Sequence, residues 1–290
     1  MKITRDTKIF GILGFPLSHT LSPVIHNGLF TEYNFNGIYL VFEKEKPSRN
    51  LFFSKELLPI EGLSVTIPHK EWAFKQADYK DEASTNMQAS NTLIRNESKL
   101  SAYNTDGYGA VRSIEEYKRN FFESDKVGDI LILGSGGSAK GIAYSLVKRG
   151  LASKKIVIAA RNPKTGKALV KKINTIQKDI CEYSTLDAIQ KESQKFSLII
   201  NTTPVGMKGK KDSQILNEDF FSKNQTLFDI VYNPLETPLV QMAKKKKVKI
   251  IPGYEMLLYQ AMEQFRLFTG IHVDNARISL VRKWLLQNLK

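Results

Sequence analysis

The sequence predicts an α/β fold in two units, the second built on a doubly wound parallel sheet. Strand-length apolar runs alternate with helix-length segments along most of the 290 residues, a pattern that builds a sheet with helices on both faces. Several runs, such as S-L-I-I-N over Ser197–Asn201, are apolar almost throughout, as strands buried on both faces require. Between one such strand and a helix stands G-S-G-G-S, Gly134–Ser138, the kind of turn at which a doubly wound sheet receives a phosphate.

The elements follow in order. Residues 9–13 are apolar and end at G-F-P, giving a strand and a turn. Ser22-Pro23 opens a helix to about Tyr33, with the serine as cap and the proline in the first turn. A strand over 37–42 and a helix near 47–58 lead into G-L-S-V-T-I-P-H-K. In that stretch residues 64–67 form a strand that Pro68 stops, because proline gives no N–H to a ladder. A helix follows Lys70, and 91–94 and 101–103 form two short strands around the turn 95–99. The first unit ends near Asp106. The second comprises a strand over 129–133, a helix over 139–149, a strand over 156–160 and a helix to about Gln177. Strands follow over 197–201, 226–231 and 249–251. Two helices, broken at Thr269-Gly270, complete the chain.

Composition bounds the function. Hydrophobic residues make up 42% and charged residues 25%, as in ordinary globular proteins. The sequence has no apolar run of the roughly 18 residues a membrane span needs, and its start does not resemble a signal peptide. The single cysteine, Cys181, has no partner for an internal disulfide, which agrees with a reducing cytoplasm. The net charge of +14 raises the possibility of nucleic-acid binding. However, the lysines are dispersed, no zinc-finger or RNP-type signature accompanies them, and the run Lys244–Lys247 reads as a solvated helix end. The histidines His19, His26, His69 and His272 lack metal-ligand spacing, so no metal is expected.

Gly134, Ser135, Gly136, Gly137 and Ser138 form the candidate phosphate loop, with Ala139 at the third position of the glycine pattern. An NAD site places an acid about 20 residues further on, to hold the ribose 2′-OH. Here the second strand ends in Ala160 and Arg161, with Asn162 and Lys164 following. Cations at that place suit the 2′-phosphate of NADP. By themselves, Lys70 reads as one surface cation among many, Asp106 and Asn91 as turn residues, and Ser22 as a helix cap.

Seven stretches in order resemble the shikimate dehydrogenase family: G-x-P-x-x-H-T-L-S-P-x-I-H-N (14–27), S-V-T-I-P-H-K (64–70), A-S-N-T-L (89–93), N-T-D-G (104–107), G-S-G-G (134–137), N-T-T-P-V-G-M (201–207) and G-Y-E-M-L-L-Y-Q-A (253–261). The resemblance implies a substrate domain of residues 1–106 plus 253–290, a Rossmann-type NADP domain of 107–252 and a cleft between them. It implies reversible reduction of 3-dehydroshikimate to shikimate by NADPH in aromatic amino acid biosynthesis, in a cytoplasmic monomer or homodimer. Lys70 matches the catalytic lysine and Asp106 its partner. Thr20, Ser22 and Tyr232 match groups that bind the substrate carboxylate, while Thr66, Asn91 and Gln260 match those that hold ring hydroxyls. Glu82, Thr202, Ile230 and Gly253 fall where the family meets its cofactor. Thr20 stands where the family usually has serine, keeping the hydroxyl and adding a methyl group. That leaves open a quinate/shikimate dehydrogenase of relaxed substrate and cofactor choice. Readings of another class are a non-catalytic nucleotide sensor and a basic nucleic-acid-binding protein.

Overall fold

The computed structural model describes residues 3–17, 20–53, 59–124, 128–209 and 214–289. His19, the end of the helix expected near 47–58, and the extreme residues of the chain lie outside that set. The chain divides into two compact units, Met1–Gly109 with Leu258–Asn288, and Ala110–Leu257.

Unit 1 carries β1 (Lys8–Gly14), α1 (Ser22–Glu32), β2 (Gly37–Glu43), α2 (Asn50–Phe53), β3 (Ile60–Val65), α3 (Lys70–Gln76), β4 (Tyr79–Lys80), α4 (Glu82–Met87), β5 (Thr92–Asn96) and β6 (Lys99–Tyr103). Helix α5 (Asp106–Tyr117) starts in this unit and runs into the next. The strands form one mixed sheet in the order β2-β1-β3-β5-β6-β4. β1 pairs in parallel with β2 and β3, while β3, β5 and β6 pair antiparallel. Leu13, Leu63, Val65, Leu93, Leu100 and Ala102 build one side of the core with Phe52 and Ala73.

Three expectations for this unit change. The strand expected over 64–67 lies over 60–65, where its pairing with β1 begins at Ile60 and ends at Leu13 opposite Val65. Ile67 then leaves the sheet, 72% exposed. Ser22 does not cap α1. Leu21 is the N-cap residue and no side chain caps it, so Ser22 and Pro23 form the first turn. Among the described residues the helix near 47–58 covers four residues. β4 and α4 have no counterpart in the sequence reading; two residues are too few for a periodic signal.

Unit 2 carries β7 (Asp129–Leu133), α6 (Gly137–Arg149), β8 (Ile156–Ala159), α7 (Pro163–Asn174), β9 (Cys181–Ser184), α8 (Leu186–Ile189), β10 (Phe196–Asn201), β11 (Thr226–Asp229), α9 (Pro238–Lys245) and β12 (Lys249–Ile251). Helix α10 (Gly253–Thr269) passes into unit 1, where α11 (Asn275–Asn288) follows. The sheet order is β12-β11-β10-β7-β8-β9, with every pairing parallel. The order reverses between β7 and β10, the switch point where such sheets bind their ligands. Ala160 and residues 230–231 fall outside their expected strands, and α6 begins two residues early, so Gly137 and Ser138 are helical. α9 ends in Lys244 and Lys245, as read from the lysine run. Gly270, with φ +77° and its N–H donated to Arg266 O at 2.7 Å, closes α10.

Candidate active site

Lys70 is the first residue of α3 and Asp106 the first of α5. A cation at a helix N-terminus faces the positive end of the helix dipole, so Lys70 sits where its own helix does not favour it. Its partner supplies the difference: Lys70 Nζ donates to Asp106 Oδ2 at 2.5 Å. The lysine side chain is 19% exposed and the aspartate 4%. The Lys70 backbone is tied down as well, its carbonyl accepting from Ser90 N at 2.9 Å.

Asn91 adjoins this pair. Its Nδ2 donates to Asp106 Oδ1 at 2.9 Å, to Gln260 Oε1 at 3.0 Å and to Thr105 Oγ1 at 3.0 Å. Four of the expected residues, Lys70, Asp106, Asn91 and Gln260, are thus joined by hydrogen bonds, although Asn91 and Gln260 lie 169 positions apart. Thr66, half-buried, is held by its N–H to Leu13 O at 2.9 Å. The Thr20 hydroxyl accepts from Ser22 N at 3.4 Å.

A buried chain behind these groups is absent from the sequence reading. Tyr39 OH donates to Ser64 Oγ at 2.7 Å, Ser64 Oγ donates to Gln264 Oε1 at 2.9 Å, and the Ser22 hydroxyl also bonds Tyr39. Gln264 Nε2 donates to Asn91 O at 3.1 Å and Thr92 Oγ1 at 3.0 Å. The chain runs from Ser22 to Asn91 without a gap. Its sequence signal is one of spacing: Gln264 lies one helical turn beyond Gln260, and Ser64 two residues before Thr66. Fully buried His26 stacks on Tyr39 with ring centroids 4.3 Å apart. Burial holds its pKa down to about 3, opposed weakly by the Gln264 side chain.

The nucleotide residues expected in unit 2 lie at the carboxyl ends of β7, β8, β10 and β11. Gly134 has φ +109°, and a Cβ there would meet Thr202 Oγ1 at 2.7 Å, so both backbone and space require glycine. Thr202 Oγ1 donates to Leu133 O at 2.6 Å, a structural bond that fixes the loop. Gly136 is the N-cap of α6 and no side chain caps that end. A Cβ on Gly136 or Gly137 would meet nothing within 4 Å. Open backbone at a helix N-terminus fits a pyrophosphate. Ser135 Oγ and Thr165 Oγ1, 2.8 Å apart, link this loop to α7.

Arg161 and Lys164 are exposed at the start of α7. No acid occupies its first turn, and the Asn162 side chain caps the helix by accepting from Lys164 N and Thr165 N. Two cations beside a positive helix end fit the 2′-phosphate of NADP. Ile230 and Tyr232 follow Asp229, whose buried carboxylate accepts from Asn201 Nδ2 at 2.9 Å, Val231 N at 3.1 Å and Thr237 Oγ1 at 2.6 Å. Burial raises the pKa of the Tyr232 phenol. Gly253 has a steric reason of its own: a Cβ would come within 2.5 Å of Val231 O and 2.7 Å of Asp229 O. Glu82 belongs to unit 1, exposed at the start of α4. Cys181 is buried and burial pushes its thiol up to about 12, so it is no nucleophile at neutral pH. No helix among the described residues is long and apolar enough to cross a membrane.

Residues 12–93 match the shikimate dehydrogenase substrate binding domain and residues 253–279 the shikimate 5′-dehydrogenase C-terminal domain. Residues 129–197 match the family described as NADP oxidoreductase coenzyme F420-dependent. The shikimate dehydrogenase (NADP(+)) of Leptospira interrogans is 48% identical over 289 residues, covering 100% of this chain and 98% of its own. A crystal structure of a shikimate dehydrogenase in complex with NADP+ superimposes with a TM-score of 0.87 at 32% identity, covering 100% of this chain and 98% of that one. The Thermus thermophilus shikimate 5-dehydrogenase in complex with NADP(H) and shikimate gives a TM-score of 0.81 at 25% identity, covering 97% of this chain and 100% of that one.

Proposed function

This chain belongs to the shikimate dehydrogenase family, and from that premise we propose that the Lys70–Asp106 pair carries its NADP-dependent, reversible reduction of 3-dehydroshikimate to shikimate. The observation that carries this reading is the half-buried 2.5 Å ion pair, bonded in turn to Asn91 and Gln260.

Bound NADPH supplies the hydride, which no side chain of this protein can provide. What the protein contributes is charge and position. As the substrate carbonyl becomes an alcohol, negative charge builds on its oxygen, and a cationic donor there lowers the barrier. Lys70 stabilises that charge and delivers the proton. Asp106 holds the ammonium in place and accepts a hydrogen bond from a substrate hydroxyl. Asn91, Gln260 and Thr66 hold ring hydroxyls, and Thr20 and Ser22 the carboxylate. The glycine loop Gly134–Ser138 takes the pyrophosphate, and Arg161, Asn162 and Lys164 take the 2′-phosphate. Ala160, Thr202, Ile230 and Gly253 border the rest of the nucleotide. Both ligands are anions, in keeping with the net charge of +14.

The test is spectrophotometric: NADP reduction by the purified protein with shikimate and, separately, with quinate. Shikimate-dependent reduction with quinate at least about tenfold poorer in kcat/KM is expected; no shikimate-dependent reduction would overturn the reading. Lys70→Ala is expected to fold normally and lose about 10²-fold or more in kcat, as for loss of a positioned acid–base group. Near-native kcat in that variant removes Lys70 from the chemistry. Asp106→Asn is expected to be slow in kcat as well; a change confined to KM makes Asp106 a binding group only.

A further inference from the structure

We infer that Gln264 is a positioning residue of the substrate site: through Thr92 it fixes which way the Asn91 side-chain amide faces, and so presents the N–H groups of Gln260 to the substrate. The inference rests on the reading above, in which Asn91 and Gln260 hold ring hydroxyls.

The argument is one of hydrogen-bond polarity. A backbone carbonyl can only accept and a backbone N–H can only donate, whereas hydroxyls and amides take the role their neighbours leave them. Gln264, 2% exposed, lies against Asn91 O at 3.1 Å. That carbonyl already accepts from Val65 N at 2.6 Å and can only accept, so the Gln264 NH₂ group and not its oxygen must face it. The same NH₂ group reaches Thr92 Oγ1 at 3.0 Å, which makes the Thr92 oxygen an acceptor there. Its single proton then goes to Asn91 Oδ1 at 2.9 Å. With its oxygen so engaged, Asn91 turns its NH₂ group toward Asp106 Oδ1 and Gln260 Oε1. The Gln260 oxygen is occupied by Asn91, which leaves the Gln260 NH₂ group as the end free to donate.

The far side of Gln264 obeys the same logic. Its oxygen accepts from Ser64 Oγ at 2.9 Å, and Ser64, having given its proton, accepts from Tyr39 OH at 2.7 Å. A reversed Gln264 would set its oxygen against the Asn91 carbonyl. A reversed Asn91 would set its oxygen against the Asp106 carboxylate. Thr105 N, donating to Asn91 Oδ1 at 2.9 Å, holds Asn91 in the same sense. With the Asp106 carboxylate and Thr105 N, Gln264 is therefore one of three locks on that amide, and its loss should weaken the site without abolishing it.

The experiment compares Gln264→Leu, Thr92→Val, Thr92→Ser and the double variant Gln264→Leu/Thr92→Val with the unmodified enzyme. The readouts are KM for shikimate, KM for NADP and kcat. Gln264→Leu is expected to raise KM for shikimate about tenfold, with kcat within about threefold and KM for NADP unchanged, the pattern of lost uniform binding. Thr92→Val should do the same and Thr92→Ser should restore KM. The double variant should be no worse than the worse single variant, because both break one chain. An unchanged KM for shikimate in a folded Gln264→Leu protein overturns the inference, as do effects that multiply in the double variant. If Gln264→Leu does not fold, the Thr92 pair decides alone: equal KM values in the valine and serine variants overturn it. Should the unmodified protein not oxidise shikimate, the functional reading fails and this inference with it. An active parent with unmoved variants defeats the inference only.

Discussion

Histidine 26 shows what a single buried side chain does to the stability of this protein. Its ring is enclosed against Tyr39, and burial lowers its pKa from 6.5 to about 3. In the unfolded chain the ring takes up a proton near pH 6.5; in the folded protein it resists until about pH 3. Between those values the unfolded state binds more protons, so stability falls as pH falls through that window, by at most about 1.4 kcal/mol per pH unit for one group. Thermal midpoints measured from pH 7 to pH 4.5 are expected to drop more steeply in the unmodified protein than in His26→Phe, whose ring fills the site without titrating. Parallel curves would remove His26 as a source of acid sensitivity. At this scale the sequence is informative wherever a motif names the residue, as with Lys70, Asp106, Asn91 and Gln260. It names none of Tyr39, Ser64 and Gln264, for which spacing offers at most a hint for Ser64 and Gln264. Those three meet through bonds that span up to 200 positions, and no local pattern encodes such a meeting.

Elements are legible in proportion to their apolar periodicity. β7 and β12 lie at their expected bounds, and the break at Gly270 between α10 and α11 follows from a glycine in the left-handed region. Short β4 and β9, with two and four residues, leave no such trace. Ser22 leaves the start of α1 uncapped because it gives its hydroxyl to Tyr39 rather than to its own helix, a tertiary contact overriding a local preference. Where α10 begins, packing is least forgiving. Gly253→Ala places a methyl group within 2.7 Å of two carbonyl oxygens, those of Asp229 and Val231 at the end of β11, and backbone yields less readily than side chain. Overpacking of this kind costs about 1–3 kcal/mol, so urea unfolding is expected to show a lower midpoint. Gly136→Ala, with open space around its Cβ, serves as the control on the same glycine-rich half. A midpoint for Gly253→Ala equal to that control would show that the close approach relaxes freely.

On the scale of the whole molecule, a charge of +14 favours anionic ligands generally, so cofactor choice must come from placed cations rather than from the field. Arg161→Ala is expected to raise KM for NADP about tenfold, equivalent to about 1.4 kcal/mol, while leaving NAD use nearly unchanged. Rising salt should weaken NADP more than NAD, since screening acts on the added phosphate contact. Equal use of the two cofactors by the unmodified enzyme would argue against that role for Arg161. The division of the chain has a consequence in time. Unit 2 is one continuous stretch, 110–257, whereas unit 1 is completed by 258–288, so a chain leaving the ribosome can finish the parallel sheet of unit 2 while unit 1 still lacks Gln260 and Gln264. Asn91, made early, must wait about 170 residues for Gln260. During that interval Asn91 has its early partners Thr92, Thr105 and Asp106, while Ser64 and the Asn91 carbonyl wait for Gln264.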